Sequence, residues 1–178
     1  MKTKKLAFID IETTGLDFDA NEIIEIAGVV VSDDDTFTVF HEFECKVKPE
    51  HIKTANRTAL KINKYNDEDW KDALTLTEAM QLFSDKTEDA IMAAHNSPFD
   101  WAFLDKAFRT TGVTNKMGHY HTLDTVSVAY IKLRNTPEIK HFSLHELCEY
   151  FGIKNEKEHS ALGDAKATLE LYKKLINL

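Results

Sequence analysis

Residues 5–12 carry apolar side chains on both faces, the pattern of a strand in the middle of a sheet. A second apolar run covers residues 22–31, and Ser32-Asp33-Asp34-Asp35 breaks it as a turn. The three aspartates lack the ligand spacing of a calcium loop and are read as a hairpin turn. Beyond it, Phe37, Val39, His41, Phe43, Cys45 and Val47 alternate with more polar neighbours, the period of a half-buried strand. Residues 77–83 then begin a helical stretch, and 90–94 form a short buried strand. Ser97-Pro98 opens a helix with serine as cap and proline at the first position, and Gly112 ends it. Residues 120–123 give another short strand. Val126, Ala129, Tyr130 and Leu133 share one helical face, and Leu144, Leu147, Cys148 and Phe151 repeat that spacing. Ser143 and Glu146 form a capping-box signature before the second of these helices, and Gly152 follows it. A last helix covers about 160–176. Three strands followed by alternating helices and strands predict an α/β fold: a mixed five-stranded sheet flanked by helices, in a single domain over residues 1–178.

Composition narrows the class. A hydrophobic fraction of 43% in 178 residues suits a soluble chain with one sizeable core. The net charge of −8 counts against a phosphate-binding partner, an objection that any nucleic-acid reading must answer. Cys45 and Cys148 are too few for a disulfide framework or a cysteine-rich zinc site. The basic start is followed by an apolar run that stops at Asp10, too short for a signal core, and no stretch is long enough to span a membrane. The expectation is a cytoplasmic chain without a membrane partner.

Three segments carry chemistry. Asp10 and Glu12 point to one face of the first strand, just before the turn at Gly15. Like charges side by side are costly unless a cation lies between them, and hard oxygen ligands suit Mg²⁺ or Mn²⁺. A solvent-exposed strand end would explain the same two acids. Asp100 sits in the first turn of the helix after His95-Asn96-Ser97-Pro98, where an acid also serves as a capping partner. Asp164 lies in the first turns of the last helix, beside the small residues Ala161 and Ala165. His159 precedes it on a loop, and an imidazole with an unperturbed pKa of about 6.5 suits a general base.

Taken together and in this order, Asp10-Ile11-Glu12-Thr13-Thr14-Gly15-Leu16, His95-Asn96-Ser97-Pro98-Phe99-Asp100 and His159-Ser160-Ala161-Leu162-Gly163-Asp164 resemble the three motifs of the DEDDh 3′–5′ exonucleases. This DnaQ-like family includes the epsilon proofreading subunit of bacterial replicative DNA polymerase. The resemblance runs from Leu6 to about Ile176 and implies the family's ribonuclease H-like sheet. It implies that Asp10, Glu12, Asp100 and Asp164 hold two divalent cations, Mg²⁺ or Mn²⁺, and that His159 is the general base. It further implies that the backbone at Thr13 and Thr14 holds the terminal nucleotide, that Leu16 wedges against a terminal base, and that Phe99 lines its pocket. Leu16 and Phe99 also suit ordinary core packing. Asp124 reads as a helix cap or a support for the site, outside the ligand set. One departure stands out: many members carry a His-Gly-Ile-like turn where this chain reads Ile62-Asn63-Lys64-Tyr65.

The implied reaction releases nucleoside 5′-monophosphates from single-stranded 3′ ends, with DNA favoured. RNA end-trimming is the alternative within the enzyme class, and a non-catalytic nucleic-acid or polymerase-binding role is the alternative outside it. A DNA polymerase is a further partner that the resemblance implies. The chain stops directly after its last predicted helix, which favours a stand-alone enzyme or a subunit docked through its own surface. Lys46, Lys48, Lys53, Arg57, Lys61 and Lys64 face only Glu50 in their segment and are candidates for gripping phosphates.

Overall fold

The computed structural model describes residues 4–118, 121–155 and 159–178. The expected strand start at Tyr120, and Glu158 before the third motif, lie outside the described residues. The first apolar run forms β1 (Lys5–Thr13), paired antiparallel with β2 (Ile23–Ser32). A second hairpin adds β3 (Val39–Lys46). On the other side of β1 lie β4 (Ala90–Ala94) and β5 (Leu123–Asp124), both in parallel register. The order β3-β2-β1-β4-β5 makes a mixed five-stranded sheet with β1 at its centre, which is why β1 is apolar on both faces.

Helices cover both sides. In chain order they are α1 (Arg57–Ile62), α2 (Leu76–Lys86), α3 (Ser97–Thr111), α4 (Thr125–Leu133), α5 (Leu144–Phe151) and α6 (Ala161–Ile176). Ile9, Ile11, Ile26 and Val30 pack against Met80 and Phe83 of α2 and Phe103 and Leu104 of α3. On the opposite face, Leu6, Phe8, Val29 and Val31 meet Ala165 and Leu169 of α6. Ala129 of α4 and Leu147 of α5 then pack on Leu171 and Leu175, the outer side of α6.

Two features of β1 prepare the acidic end of the sheet. Its pairing with β4 ends at Phe8, while its pairing with β2 continues through Glu12. The last residues of β1 therefore stand beyond its parallel neighbour, leaving an open end. The face shared by Leu6 and Phe8 also continues, at a spacing of two, through Asp10 and Glu12. One stripe is thus apolar under the body of α6 and acidic under its start.

Several local expectations change. Phe37 and Phe43 were expected on one face of the third strand. The register instead shifts between Val30 and Val31, which face His41 and Val39, so Phe40 is an extra residue. That bulge turns the strand over. Phe43 packs toward α2, whereas Phe37, at a left-handed φ of 46°, lies edge-on to Tyr172 of α6 with ring centroids 6.0 Å apart. Ser97 is the first residue of α3 rather than its cap. The cap position belongs to Asn96, at φ 70°, and the Asp124 carboxylate accepts the N–H groups of Asn96 and Ser97. The capping box at α5 forms only half: Ser143 Oγ accepts from Glu146 N–H, but the Glu146 carboxylate turns to the N–H groups of Lys140, His141 and Phe142. The turn after β2 is a hairpin turn as expected, with Asp34 Oδ1 accepting from Ser32 Oγ and from the Thr36 N–H and hydroxyl.

Gly28 shows how tightly the sheet is packed on the α2 and α3 face. A Cβ there would stand 2.6 Å from Ile9 Cδ1 and 2.7 Å from Phe43 Cε1. Overpacking a core of this kind costs about 1–3 kcal/mol. Gly28→Val is expected to destabilise the fold by that amount, seen as a lower urea midpoint. An unchanged midpoint would show that the two side chains move aside freely.

Candidate metal and nuclease site

The acidic end of the β1 stripe meets the first turn of α6. Ser160 caps this helix, its hydroxyl accepting from Gly163 N–H, and Ala165 and Leu169 seat it on the sheet. Asp164 is thereby set over β1. Oxygens of Asp10, Glu12 and Asp164 all lie within 4.8 Å of one another. Asp100 arrives from the first turn of α3 and is only 4% exposed. The backbone at Ile11, beyond the last β4 pairing, and at Asp100 itself favours its charged form. Asp100 falls outside the tight group of three among the described residues, yet its charge acts on Asp10.

Burial and mutual repulsion govern the electrostatics. Desolvation, followed by the charges of Asp100, Asp164, Glu12 and Glu25, pushes Asp10 well above the ordinary carboxylate range. Desolvation raises Asp100 in the same way, with the two backbone donors opposing it. Glu12 moves from 4.5 to about 8, through burial first and then the charges of Asp164 and Glu25. A cluster of hard oxygen donors that repel one another is matched by a divalent cation of the Mg²⁺ or Mn²⁺ type, which would favour their ionised forms. The donor set fits that group.

His159 is exposed, at a left-handed φ of 62°. It lines a cavity of about 390 Å³ together with Asp164, Asn155, Ser143 and His145. Leu16 is 84% exposed on the loop after β1, so it takes no part in the core. Phe99 is half-buried, its ring centroid 5.1 Å from that of Phe103. Thr13 and Thr14 are buried and shape the loop: Thr13 Oγ donates to the Gly15 carbonyl, and Thr14 Oγ accepts from Glu22 N–H. Asp124 caps α4 by accepting from Ser127 N–H, as the helix-cap reading expects. His95 is held between the Thr125 hydroxyl and the Phe142 carbonyl, at 2.9 Å from each.

The basic segment divides. Lys46 and Lys64 line a cavity of about 380 Å³ that His159 also borders. Lys48 lines a different one beside Lys106. Lys53, Arg57 and Lys61 are exposed. The turn that lacks the expected glycine is made by Lys64 itself, at φ 53°, while Asn63 Nδ2 donates to the Thr13 carbonyl. Glu25 and Asn155 went unnoticed from sequence. Asn155 donates to Asp164 Oδ1 at 2.5 Å, and nothing in its local sequence marks it. Glu25 had a signal: it is an acid inside the apolar run Ile23-Ile24-Glu25-Ile26, and it is 6% exposed.

A half-buried group of carboxylates thus lies at the open end of a central strand, between helices on both faces of the sheet, with donors of the type that suit a divalent cation. Residues 7–172 match the exonuclease family named RNase T. The chain belongs to this family, the DnaQ-like 3′–5′ exonucleases whose motifs it carries. Among curated relatives it is 30% identical to a PolC-type DNA polymerase III of Listeria monocytogenes and 31% to that of Caldanaerobacter subterraneus, over 94% of this chain in both cases. It is 29% identical to that of Staphylococcus saprophyticus over 99% of the chain. The chain spans only 11–12% of the length of these relatives. Among solved structures it superposes on E. coli Exonuclease I in complex with a dT13 oligonucleotide, with a TM-score of 0.82 at 18% identity, covering 97% of this chain and 41% of that one. A zinc-bound form of the same enzyme with single-stranded DNA gives a TM-score of 0.82 at 18% identity, over 99% of this chain and 42% of that one. These likenesses establish the shared fold. No helix among the described residues is long and apolar enough to cross a membrane.

The cluster should be visible in the stability of the metal-free protein. The folded-state value of Glu12 lies above its ordinary one, so the folded chain binds more protons between about 4.5 and about 8, and stability falls as pH rises through that window. Asp10 and Asp100 act with the same sign. In EDTA, Tm is expected to fall from about pH 5 to about pH 8, and saturating Mn²⁺ to raise it most at the alkaline end. A Tm independent of both pH and Mn²⁺ would contradict the site.

Proposed function

We propose that this chain is a metal-dependent exonuclease domain that removes nucleoside 5′-monophosphates from single-stranded 3′ ends, with DNA preferred. The observation that carries the reading is the convergence of Asp10, Glu12 and Asp164 within 4.8 Å, with exposed His159 lining the same cavity as Asp164. Asp10, Glu12, Asp100 and Asp164 hold the divalent cations. Those cations, two of Mg²⁺ or Mn²⁺, would supply Lewis acidity toward water and toward the phosphodiester oxygens. His159, on its exposed loop, takes the proton from the attacking water. Asn155 holds the Asp164 carboxylate in orientation through its amide.

The loop after β1 receives the end of the strand. Thr13 and Thr14 spend their hydroxyls on the loop and so fix its backbone against the terminal nucleotide. Leu16, fully presented to solvent, wedges against the terminal base, and Phe99 lines the pocket behind it. Lys46 and Lys64 stand on the His159 side, where the preceding phosphates would run. The preference for DNA is supported by the relatives, which are PolC-type DNA polymerases, and by the dT13 held by Exonuclease I. The same relatives support a DNA polymerase as a partner and a cytoplasmic setting. Residues 1–178 act as one exonuclease domain.

Labelled single-stranded DNA and RNA oligomers of matched sequence, with Mg²⁺ or Mn²⁺, test the reading. Stepwise shortening from the 3′ end to 5′-monophosphates is expected, faster on DNA. Faster loss of RNA would reassign the substrate. Asp10→Ala and Asp164→Ala are expected to abolish hydrolysis, and His159→Ala to keep metal binding but lose about 10²–10⁴-fold in rate. Full activity in any of the three variants would refute the assigned roles.

A further inference from the structure

Glu25 is a buried acid without a place in the ligand set. It lies on β2, directly across from Glu12, and its other neighbour in the sheet is Lys46 of β3. Among the described residues, the carboxylates close enough to share an ion are Asp10, Glu12 and Asp164, and Glu25 is outside that group. A carboxylate that is 6% exposed and stands near other acids is costly unless it is hydrogen-bonded. Its partner is specific: Glu25 Oε1 accepts the Ala161 N–H at 3.0 Å.

Ala161 is the first residue of α6, and its N–H is one of the donors that a helix start leaves without an intrahelical acceptor. Ser160 Oγ and Ser160 O serve Gly163 and Asp164, so Glu25 supplies the acceptor that the cap itself does not. An anion also suits the positive end of the helix. The bond joins the second strand of the sheet to a point two residues after His159, where the backbone turns through the left-handed region. Serine at 160 is the only residue between the anchored amide and the histidine. Fixing Ala161 therefore fixes the direction in which the His159 loop leaves the helix.

We infer that Glu25 is a positioning residue for the general base: by clamping the Ala161 N–H to the sheet it holds His159 over the carboxylate cluster. The role rests on the exonuclease reading of the site. It requires an acceptor at position 25, not a charge. Glu25→Gln retains a carbonyl oxygen for the bond, whereas Glu25→Ala and Glu25→Leu remove it, the leucine keeping the volume filled.

The test combines kinetics with amide hydrogen exchange on the full chain. Glu25→Gln is expected to stay within about 3-fold of the wild-type rate, while Glu25→Ala and Glu25→Leu lose roughly 10–100-fold in kcat with KM unchanged. In the decisive comparison, Glu25→Ala combined with His159→Ala is no slower than His159→Ala alone, because both changes remove the same function. Multiplying losses in the double variant, or a Glu25→Gln enzyme as slow as Glu25→Ala, would overturn the proposal. Exchange at the Ala161 amide separates this from failure of the exonuclease reading. Protection should survive in Glu25→Gln and vanish in Glu25→Ala, whatever the activity. A wild-type chain that cuts no oligomer would sink the nuclease reading and the catalytic consequence of Glu25 with it. Lost exchange protection would then still mark the anchor as purely structural.

Discussion

Repulsion among half-buried carboxylates at one end of a sheet is the force that the rest of the molecule is arranged to withstand. Asp10 and Glu12 are held two residues apart on one face of β1, the central strand, which remains locked to β2 through Glu12. Asp164 would withdraw if α6 could tilt, but Ala165 and Leu169 seat the helix on Phe8 and Leu6 one turn further along. The apolar half of the stripe thus provides the rigidity that the acidic half requires.

The net charge of −8 takes a different meaning in this setting. Part of it is concentrated in a site whose chemistry depends on acids, and a cation bound there would offset it. The cations of the basic segment are not spread as one patch: Lys46 and Lys64 stand by His159, while Lys48 lines a separate cavity. Such an arrangement is consistent with the proposed grip on a few nucleotides at a chain end and provides no continuous basic track.

Most of the architecture was legible because it follows from periodicity. The centre of the sheet, β4 and α6 stand where their apolar spacing places them, and so does α4 as a helix, although Tyr130 of its expected apolar face is 55% exposed and Val128 packs against the core cluster instead. The errors share a cause: the competing interaction was tertiary. The bulge at Phe40 is invisible in the alternation of Phe37 to Val47, yet it sends Phe37 to the opposite face. Ser97 looks like a cap, but Asp124, from a distant strand, accepts the N–H groups of Asn96 and Ser97 and the helix begins at Ser97 itself. Glu146 has the spacing of a capping partner but finds three backbone N–H groups in the preceding loop. In the site, the residues of the three motifs were readable because each motif is local. Glu25 and Asn155 were passed over because their meaning lies in which distant group they touch, Ala161 and Asp164 respectively.

The two acids that face one another across β1 and α6 come from opposite ends of the chain. Asp10 lies on the first strand and Asp164 on the last helix, so the group closes only across most of the chain's length. Contacts so remote in sequence carry a high loop-closure cost and slow folding. A chain made only through α5 therefore carries Asp10, Glu12 and Asp100 without Asp164, and so lacks the group of three carboxylates.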